Sequence, residues 1–305
     1  MTVARQVVAG RTYLISRRCT QRQLLLRPDA RVEPIYLYCL GESAERYGIT
    51  LHGFIAMSNT HVLLRDNHAN FPDFLCHLHK MIAKAMNALR GRWENFWATE
   101  QPSAVYLVEP EDRFGKLVYL LANPVADHLV ERVSDWPGAS SLALHLSGRT
   151  KTVPRPRGFF RADGAAMPAE VTLRIERPDG FASLSDAAWT AKLHDAVRRA
   201  EESARQERAA RGGRVLGRKA ILRAKPTDAP RSVEPRRGMR PALACRDRAR
   251  RIQELSALLA FRARRTAARL RYLADERDVL FPHGTYRVRG VFRVESSPPA
   301  LALSA

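Results

Sequence analysis

The amino-acid sequence predicts an α+β fold, built on an antiparallel sheet with ferredoxin-like strand order and with helices against one face. Short β-forming segments alternate with long amphipathic helical segments through the first half of the chain. Two apolar segments flank a Ser-Asn break, which is typical of a β-hairpin. The second half is rich in Ala, Arg and Glu, and it predicts a basic, mainly helical C-terminal extension.

Residue patterns assign the individual elements. Aromatic and β-branched residues predict strands at 11–18, 49–57, 60–65 and 104–108. Apolar residues at helical spacing predict helices at 29–47, 71–90, 110–123 and 127–133. The third helix is expected to end at Asn123, because Pro124 pushes the residue before it out of the α region. The order strand, helix, two strands, helix, strand, helix suits an antiparallel sheet.

The length of 305 residues exceeds one ordinary core and suggests a second module. Proline and basic residues cluster at 148–161 and predict a linker or a segment that follows the DNA backbone. Ala/Arg/Glu-rich segments at 188–211 and 244–275 predict helices of the extension. We therefore predict a first domain at 8–147, a basic linker at 148–170, a helical extension at 171–290 and a disordered tail at 291–305.

Composition limits the partners. The net charge of +20 favours a polyanion, because phosphate neutralisation releases counterions. Composition does not separate DNA, RNA and membrane-surface binding. No apolar stretch approaches the roughly 18 residues of a membrane span, and residues 1–10 do not resemble a signal peptide. The four cysteines are scattered, which indicates reduced thiols rather than a zinc site. We expect a cytoplasmic protein with no membrane partner.

Three segments resemble one family: MSNTHVLL (residues 57–64), GRWENFW (91–97) and YLLANPVADHLVERVSDWPG (119–138). Together they are similar to the REP-associated tyrosine transposases, HUH single-tyrosine enzymes related to the insertion-sequence transposases. The resemblance covers about residues 8–150. It implies an HUH transposase-like fold, a single-stranded or hairpin DNA partner, and a monomer or homodimer. The implied activity is DNA transposition, a DNA recombination reaction of mobile elements.

The family mechanism can be carried over to particular residues. Tyr119 matches the nucleophile, whose attack on a DNA phosphate leaves a 5′-phosphotyrosine link with the help of Mg²⁺ or Mn²⁺. Asn123 matches the third metal-binding position, although it also suits the end of a helix before proline. The two residues lie one turn apart on the same helical face, which Lys116 shares.

The expected pair of metal-binding histidines is missing. Alignment on the family turn places Thr60, His61 and Val62 where the family has His, a hydrophobic residue and His. Only the middle position is histidine, and on a strand it is expected to face away from the metal. A shift of one residue does not restore the pair, because Leu63 then occupies the second position. The cofactor is therefore Mg²⁺ or Mn²⁺ if the site is active, and none if it is not.

Aromatic and basic residues supply candidate contacts to nucleic acid. Trp93 and Trp97 suit stacking on unpaired bases, although aromatic residues after a long helix also suit a core. In the extension, Arg246, Arg250 and Arg262 have little acidic compensation nearby, which favours polyanion contact over a solvated helix face.

Three hypotheses of function follow. The first is an active single-strand DNA transposase, and the second is a catalytically inactive DNA-binding descendant. The third is an RNA-binding protein, because a sheet flanked by helices with a basic surface also serves that role. Whether the protein is an enzyme is left open by the sequence.

Overall fold

The computed structural model describes residues 4–148, 150–160, 167–230, 241–288 and 294–298. The strands are β1 (Arg11–Arg18), β2 (Ile49–Ala56), β3 (Asn59–Asp66), β4 (Ser103–Leu107), β5 (Lys151–Pro154), β6 (Glu170–Leu173) and β7 (Leu243–Ala244). The helices are α1 (Val32–Arg46), α2 (Phe71–Arg90), α3 (Pro110–Ala126), α4 (Leu142–Ser147), α5 (Asp186–Ala210), α6 (Arg218–Arg223) and α7 (Arg248–Leu273).

A five-stranded sheet in the order β2-β3-β1-β4-β7 forms the centre of the fold. Its first four strands pair antiparallel, and with α1 and α2 between them they have the ferredoxin-like order that the sequence predicts. The α+β class is therefore confirmed. The fifth strand, β7, pairs parallel to β4 and comes from the C-terminal half of the chain. A strand of two residues is too short to show an alternating apolar pattern in the sequence.

Helices cover both faces of the sheet, so the expectation of helices on one face is wrong. Tyr13 and Ile15 of β1 pack with α1 and α2, whereas Leu14 between them packs with α3 and α5. Both faces of the strands are apolar, so each must be covered to remove it from water.

Helix α3 lies against β2 and β3, and Gly53 makes this close approach possible. A Cβ at Gly53 would stand 2.7 Å from Cδ1 of Leu117, so a larger residue there would force this buried side chain to shift. Leu117 and Leu121, which form the core stripe of α3 toward the sheet, are fully buried. The helix continues through Pro124 to Ala126, three residues beyond the predicted end at 123, and proline near a helix end forfeits only one backbone hydrogen bond.

No helix forms over the predicted segment 127–133, which the structure describes throughout. His128 has a left-handed backbone with φ 55°, which interrupts a helix directly after α3. A single 3-10 turn at Val133–Asp135 follows instead.

The C-terminal half packs on the first half. β5, in the predicted linker 148–170, pairs with β6 at the start of the predicted extension, and the two strands pack on α1 next to Gly41. Helix α5 of the extension packs against α3. Of the predicted tail 291–305, residues 294–298 dock on Phe281, and the remainder lies outside the described residues. Among the helices that the structure describes, none is both long and apolar enough to span a bilayer.

Candidate functional site

Tyr119 projects from the surface of α3 opposite the core stripe, with 48% of its surface exposed. The Nζ atom of Lys116, one turn earlier, lies 5.1 Å from the centroid of its ring. Partial burial, together with the negative charge of Asp127 at the end of the helix, raises the pKa of Tyr119 above its usual value. The hydroxyl is therefore protonated near neutral pH and can donate a hydrogen bond.

His61 of β3 faces Tyr119, so the expectation that it points away is wrong. The two ring centroids are 6.1 Å apart and the rings are nearly perpendicular. The reason is the tight hairpin turn, in which the amide of Met57 donates to the carbonyl of Asn59 over 2.7 Å. This turn sets a register in which the odd-numbered residues of β3 face α3.

The His61 imidazole is buried and neutral. Its Nδ1 shares a hydrogen bond of 2.7 Å with Oγ of Ser16, and its Nε2 is buried with no hydrogen-bond partner. Burial lowers the pKa of His61 to about 4. When Nδ1 carries the proton, Nε2 presents a free lone pair on the side of the sheet where Tyr119 lies.

Thr60 and Val62, at the aligned positions of the missing histidines, lie on the opposite side of the sheet. The Thr60 hydroxyl bonds to the Tyr36 hydroxyl at 2.6 Å and to the carbonyl of Ile55 at 3.3 Å. Val62 packs in the core beneath α1 and α2. Neither side chain can reach an ion beside Tyr119, whatever residue type stood there.

The groups beside Tyr119 do not fit a retained divalent ion. On this face β3 offers one imidazole, His61, and the amide of Asn59, whose Oδ1 is also buried without a partner. Asn123 lies one turn after Tyr119 and is buried. His61, Asn59 and Asn123 are uncharged ligands, and the Lys116 ammonium would repel a cation. Asp127 adds a single carboxylate at the end of α3, and burial raises its pKa, which disfavours the charged form. No three His, Cys, Asp or Glu ligands converge beside Tyr119 within the described part of the chain.

Elsewhere, the ligand atoms of three residues lie close enough together to hold a metal ion: Glu109, Asp112 and Cys245. Hydrogen bonding explains this cluster without an ion. Asp112 accepts from the backbone amide of Glu109 at 3.3 Å and from that of Arg246 at 3.1 Å, and so caps the start of α3. Desolvation and the two carboxylates raise the pKa of the Cys245 thiol, which disfavours the thiolate that metals bind. The cluster stands two turns before Tyr119.

The two candidate stacking residues have different surroundings. Trp93 is 97% exposed in the loop after α2. Trp97 is buried, donates its Nε1 hydrogen to the carbonyl of His79 at 2.9 Å and packs edge-on against Phe96. The structure therefore leaves Trp93 accessible to a base, while Trp97 serves the core.

The three candidate arginines of the extension are also separated. Arg250, in the first turn of α7, bonds to Gln253 at 3.0 Å and lies 3.5 Å from Glu254. Arg262 bonds to the carbonyl of Ala4 at 3.2 Å. Arg246 alone among the three reaches α3, where its guanidinium lies over Gly115.

Sequence reasoning missed Gly115, Asn59 and Ser16 as parts of this site. A glycine inside a predicted helix was the available signal for Gly115, because it often marks a close approach. Ser16 and Asn59 join the site only through strand pairing, in which Ser16 lies opposite His61.

No family model matches the chain, and no curated protein matches it. Among solved structures, the chain is similar to a REP-associated tyrosine transposase bound to a REP hairpin. The identity is 16% and the TM-score 0.41, over 58% of this chain and 99% of that chain. At that identity and TM-score the likeness assigns neither family nor activity.

Proposed function

We propose that this protein binds single-stranded or hairpin DNA at Tyr119 and derives from the single-tyrosine transposases without retaining their metal-assisted cleavage. The proposal rests on which residues of β3 lie on the side of the sheet that faces Tyr119. There β3 contributes one neutral imidazole, His61, whereas Thr60 and Val62 lie on the other side of the sheet.

Binding is supported by charge and by exposure. The net charge of +20 favours a polyanion. Tyr119 presents a half-exposed ring with a protonated hydroxyl, next to the Lys116 ammonium. Such a ring stacks on an unpaired base, its hydroxyl donates to a phosphate oxygen, and the ammonium neutralises that phosphate. The fully exposed Trp93 adds a second stacking surface.

Loss of cleavage is supported by the chemistry that attack requires. A tyrosine hydroxyl becomes a nucleophile when a metal or a base removes its proton. Here the pKa of Tyr119 is raised rather than lowered. His61, Asn59 and Asn123 carry no charge, so with a single nearby carboxylate, Asp127, they hold a divalent ion poorly. The geometry supports a surface that binds DNA and leaves its phosphodiester bonds intact.

The first test measures affinity for fluorescent DNA hairpins by anisotropy over a series of salt concentrations. Hairpin DNA is the first probe because the solved transposase described above is bound to a hairpin. We expect salt-sensitive binding to hairpin and single-stranded DNA, weaker binding to a blunt duplex and weaker binding to an RNA hairpin of the same sequence. Tighter binding to the RNA would favour the RNA-binding hypothesis.

The second test looks for covalent DNA on a denaturing gel after incubation with Mn²⁺. We expect no adduct from the wild type. An adduct that disappears in Tyr119→Phe would contradict the loss of cleavage and show an active transposase. Tyr119→Phe is the matched control because it removes the hydroxyl and keeps the ring, so stacking is preserved.

A further inference from the structure

Resting on the proposed DNA-binding function, we infer that Arg246 and Lys116 together form a binding site for one backbone phosphate beside Tyr119, and that Gly115 creates the space for it. The C-terminal half of the chain thereby completes a site whose other residues lie on α3.

Gly115 leaves room for the Arg246 guanidinium against the backbone of α3. A Cβ at Gly115 would lie 2.9 Å from Nη2 of Arg246, closer than ordinary van der Waals contact. The guanidinium thus rests on the bare backbone of α3. Gly115 is four residues before Tyr119, so both lie on one helical face, about 5–6 Å apart at their Cβ positions. The guanidinium therefore contacts α3 one turn before Tyr119.

The base of Arg246 is held in place. Its backbone amide donates to Oδ1 of Asp112 at 3.1 Å, and β7 immediately before it pairs with β4. The far end of the side chain is different. No carboxylate lies within ion-pair distance of the Arg246 guanidinium among the described residues, and the side chain is exposed. A cation positioned in this way has donors available for an incoming anion.

Lys116 follows Gly115 in α3 and also lies one turn before Tyr119. Successive helical residues are rotated by about 100° around the helix axis. Viewed along that axis, the side chain of Tyr119 therefore projects between the positions of Gly115 and Lys116. The Lys116 Nζ stands 5.1 Å from the tyrosine ring and forms no ion pair in the described part of the chain. Two cations thus lie on the turn of α3 that precedes the exposed Tyr119 ring.

This arrangement suits a phosphodiester with its attached base. A guanidinium can donate two parallel hydrogen bonds to phosphate oxygens, while an ammonium acts as a point charge. The Tyr119 hydroxyl or ring then contacts the same nucleotide. Arg250 and Arg262 direct their guanidinium groups to Gln253 and to the carbonyl of Ala4 instead.

The test compares Arg246→Gln with Arg264→Gln, which removes the same charge from an exposed position of α7. Both full-length variants are titrated with hairpin DNA, and with hairpins carrying one neutral methylphosphonate linkage at each position in turn. We expect Arg246→Gln to weaken binding on the order of tenfold or more and to lower the salt slope by about one. At one position, the methylphosphonate should weaken DNA binding by the wild type but leave the affinity of Arg246→Gln unchanged.

Gly115→Ala supplies an independent check. Alanine favours the helix more than glycine does, so the melting temperature should hold or rise while DNA binding falls. The fall should disappear in the Arg246→Gln background, because the added methyl acts by displacing that guanidinium. An equal fall in both backgrounds would overturn the role assigned to Gly115.

The outcomes separate the two proposals. If the wild type does not bind hairpin DNA, the proposed function fails. If the wild type binds and Arg246→Gln behaves as Arg264→Gln does, with an unchanged methylphosphonate pattern, the phosphate site is wrong while the DNA-binding function stands.

Discussion

Asn59→His should create a metal site beside His61. Asn59 and His61 are two residues apart on β3, and strand pairing places them opposite Arg18 and Ser16 on the side of the sheet that faces α3. Asn59 is partly exposed, and its Oδ1 is a buried acceptor without a partner. A histidine there would present a second imidazole beside His61, without entering the apolar core that Leu63 occupies.

The size of the effect follows from linkage. A metal that binds only the folded variant adds about 2.7 kcal/mol at one hundred times its dissociation constant. Each kcal/mol raises the melting temperature of a domain of 150–250 residues by roughly 2–4 °C, so the expected rise is about 5–10 °C. Protons compete weakly at His61, because burial lowers its pKa to about 4. The rise should therefore persist at mildly acid pH until the new histidine is protonated.

The assay is thermal unfolding with Ni²⁺ or Zn²⁺ and then with a chelator. Asn59→His should be stabilised by metal, and the addition of His61→Ala should abolish the gain. The matched control is Thr60→His/Val62→His, which should gain nothing from metal. It should also lose stability, by ~1–3 kcal/mol for overpacking, because both side chains enter the α1/α2 core. Metal stabilisation of the control but not of Asn59→His would refute the register in which His61 and Asn59 face α3.

Three further predictions concern stability and binding. Thr60→Val should cost about 1–3 kcal/mol in urea unfolding, because it leaves the buried Tyr36 hydroxyl without its 2.6 Å partner; an unchanged midpoint would exclude that bond. Trp93→Ala should weaken hairpin binding by about 1–3 kcal/mol and leave the melting temperature unchanged, since the ring is 97% exposed; unchanged affinity would remove it from the interface. Burial lowers the pKa of His61 to about 4 and of His79 to about 3, below the unfolded value of about 6.5. The unfolded chain therefore takes up protons first. The stability from these neutral imidazoles is complete above about pH 6.5 and falls toward the folded pKa values, by about 1.4 kcal/mol per pH unit for each histidine. NMR titration of either imidazole near pH 6.5 would contradict this.

Local patterns were enough to predict much of the fold. The helix at Phe71–Arg90 has the predicted bounds, because a long apolar stripe and a terminal glycine are encoded within consecutive residues. The ferredoxin-like order of the first four strands was also predicted, because alternating elements with short connections permit few arrangements. The strands β5 and β7 were missed, since their four and two residues are stabilised by their partners rather than by their own pattern.

The candidate site divides along the same line. The resemblance to the transposase family singled out Tyr119 and Asn123, and helical spacing predicted that they share one face with Lys116. The orientation of His61 was predicted wrongly. Successive side chains of a strand point to opposite faces of the sheet. The face that His61 occupies therefore depends on the turn geometry at Met57, because a register shift of one residue moves every side chain to the other face.

Residue chemistry and local periodicity therefore settled the α+β class, the basic character of the chain and the helix that carries Tyr119. The tertiary structure decided which face of β3 that helix covers, and that Arg246 reaches across to Gly115. These are contacts between segments far apart in the chain. They depend on packing and strand register, which single-residue preferences do not specify.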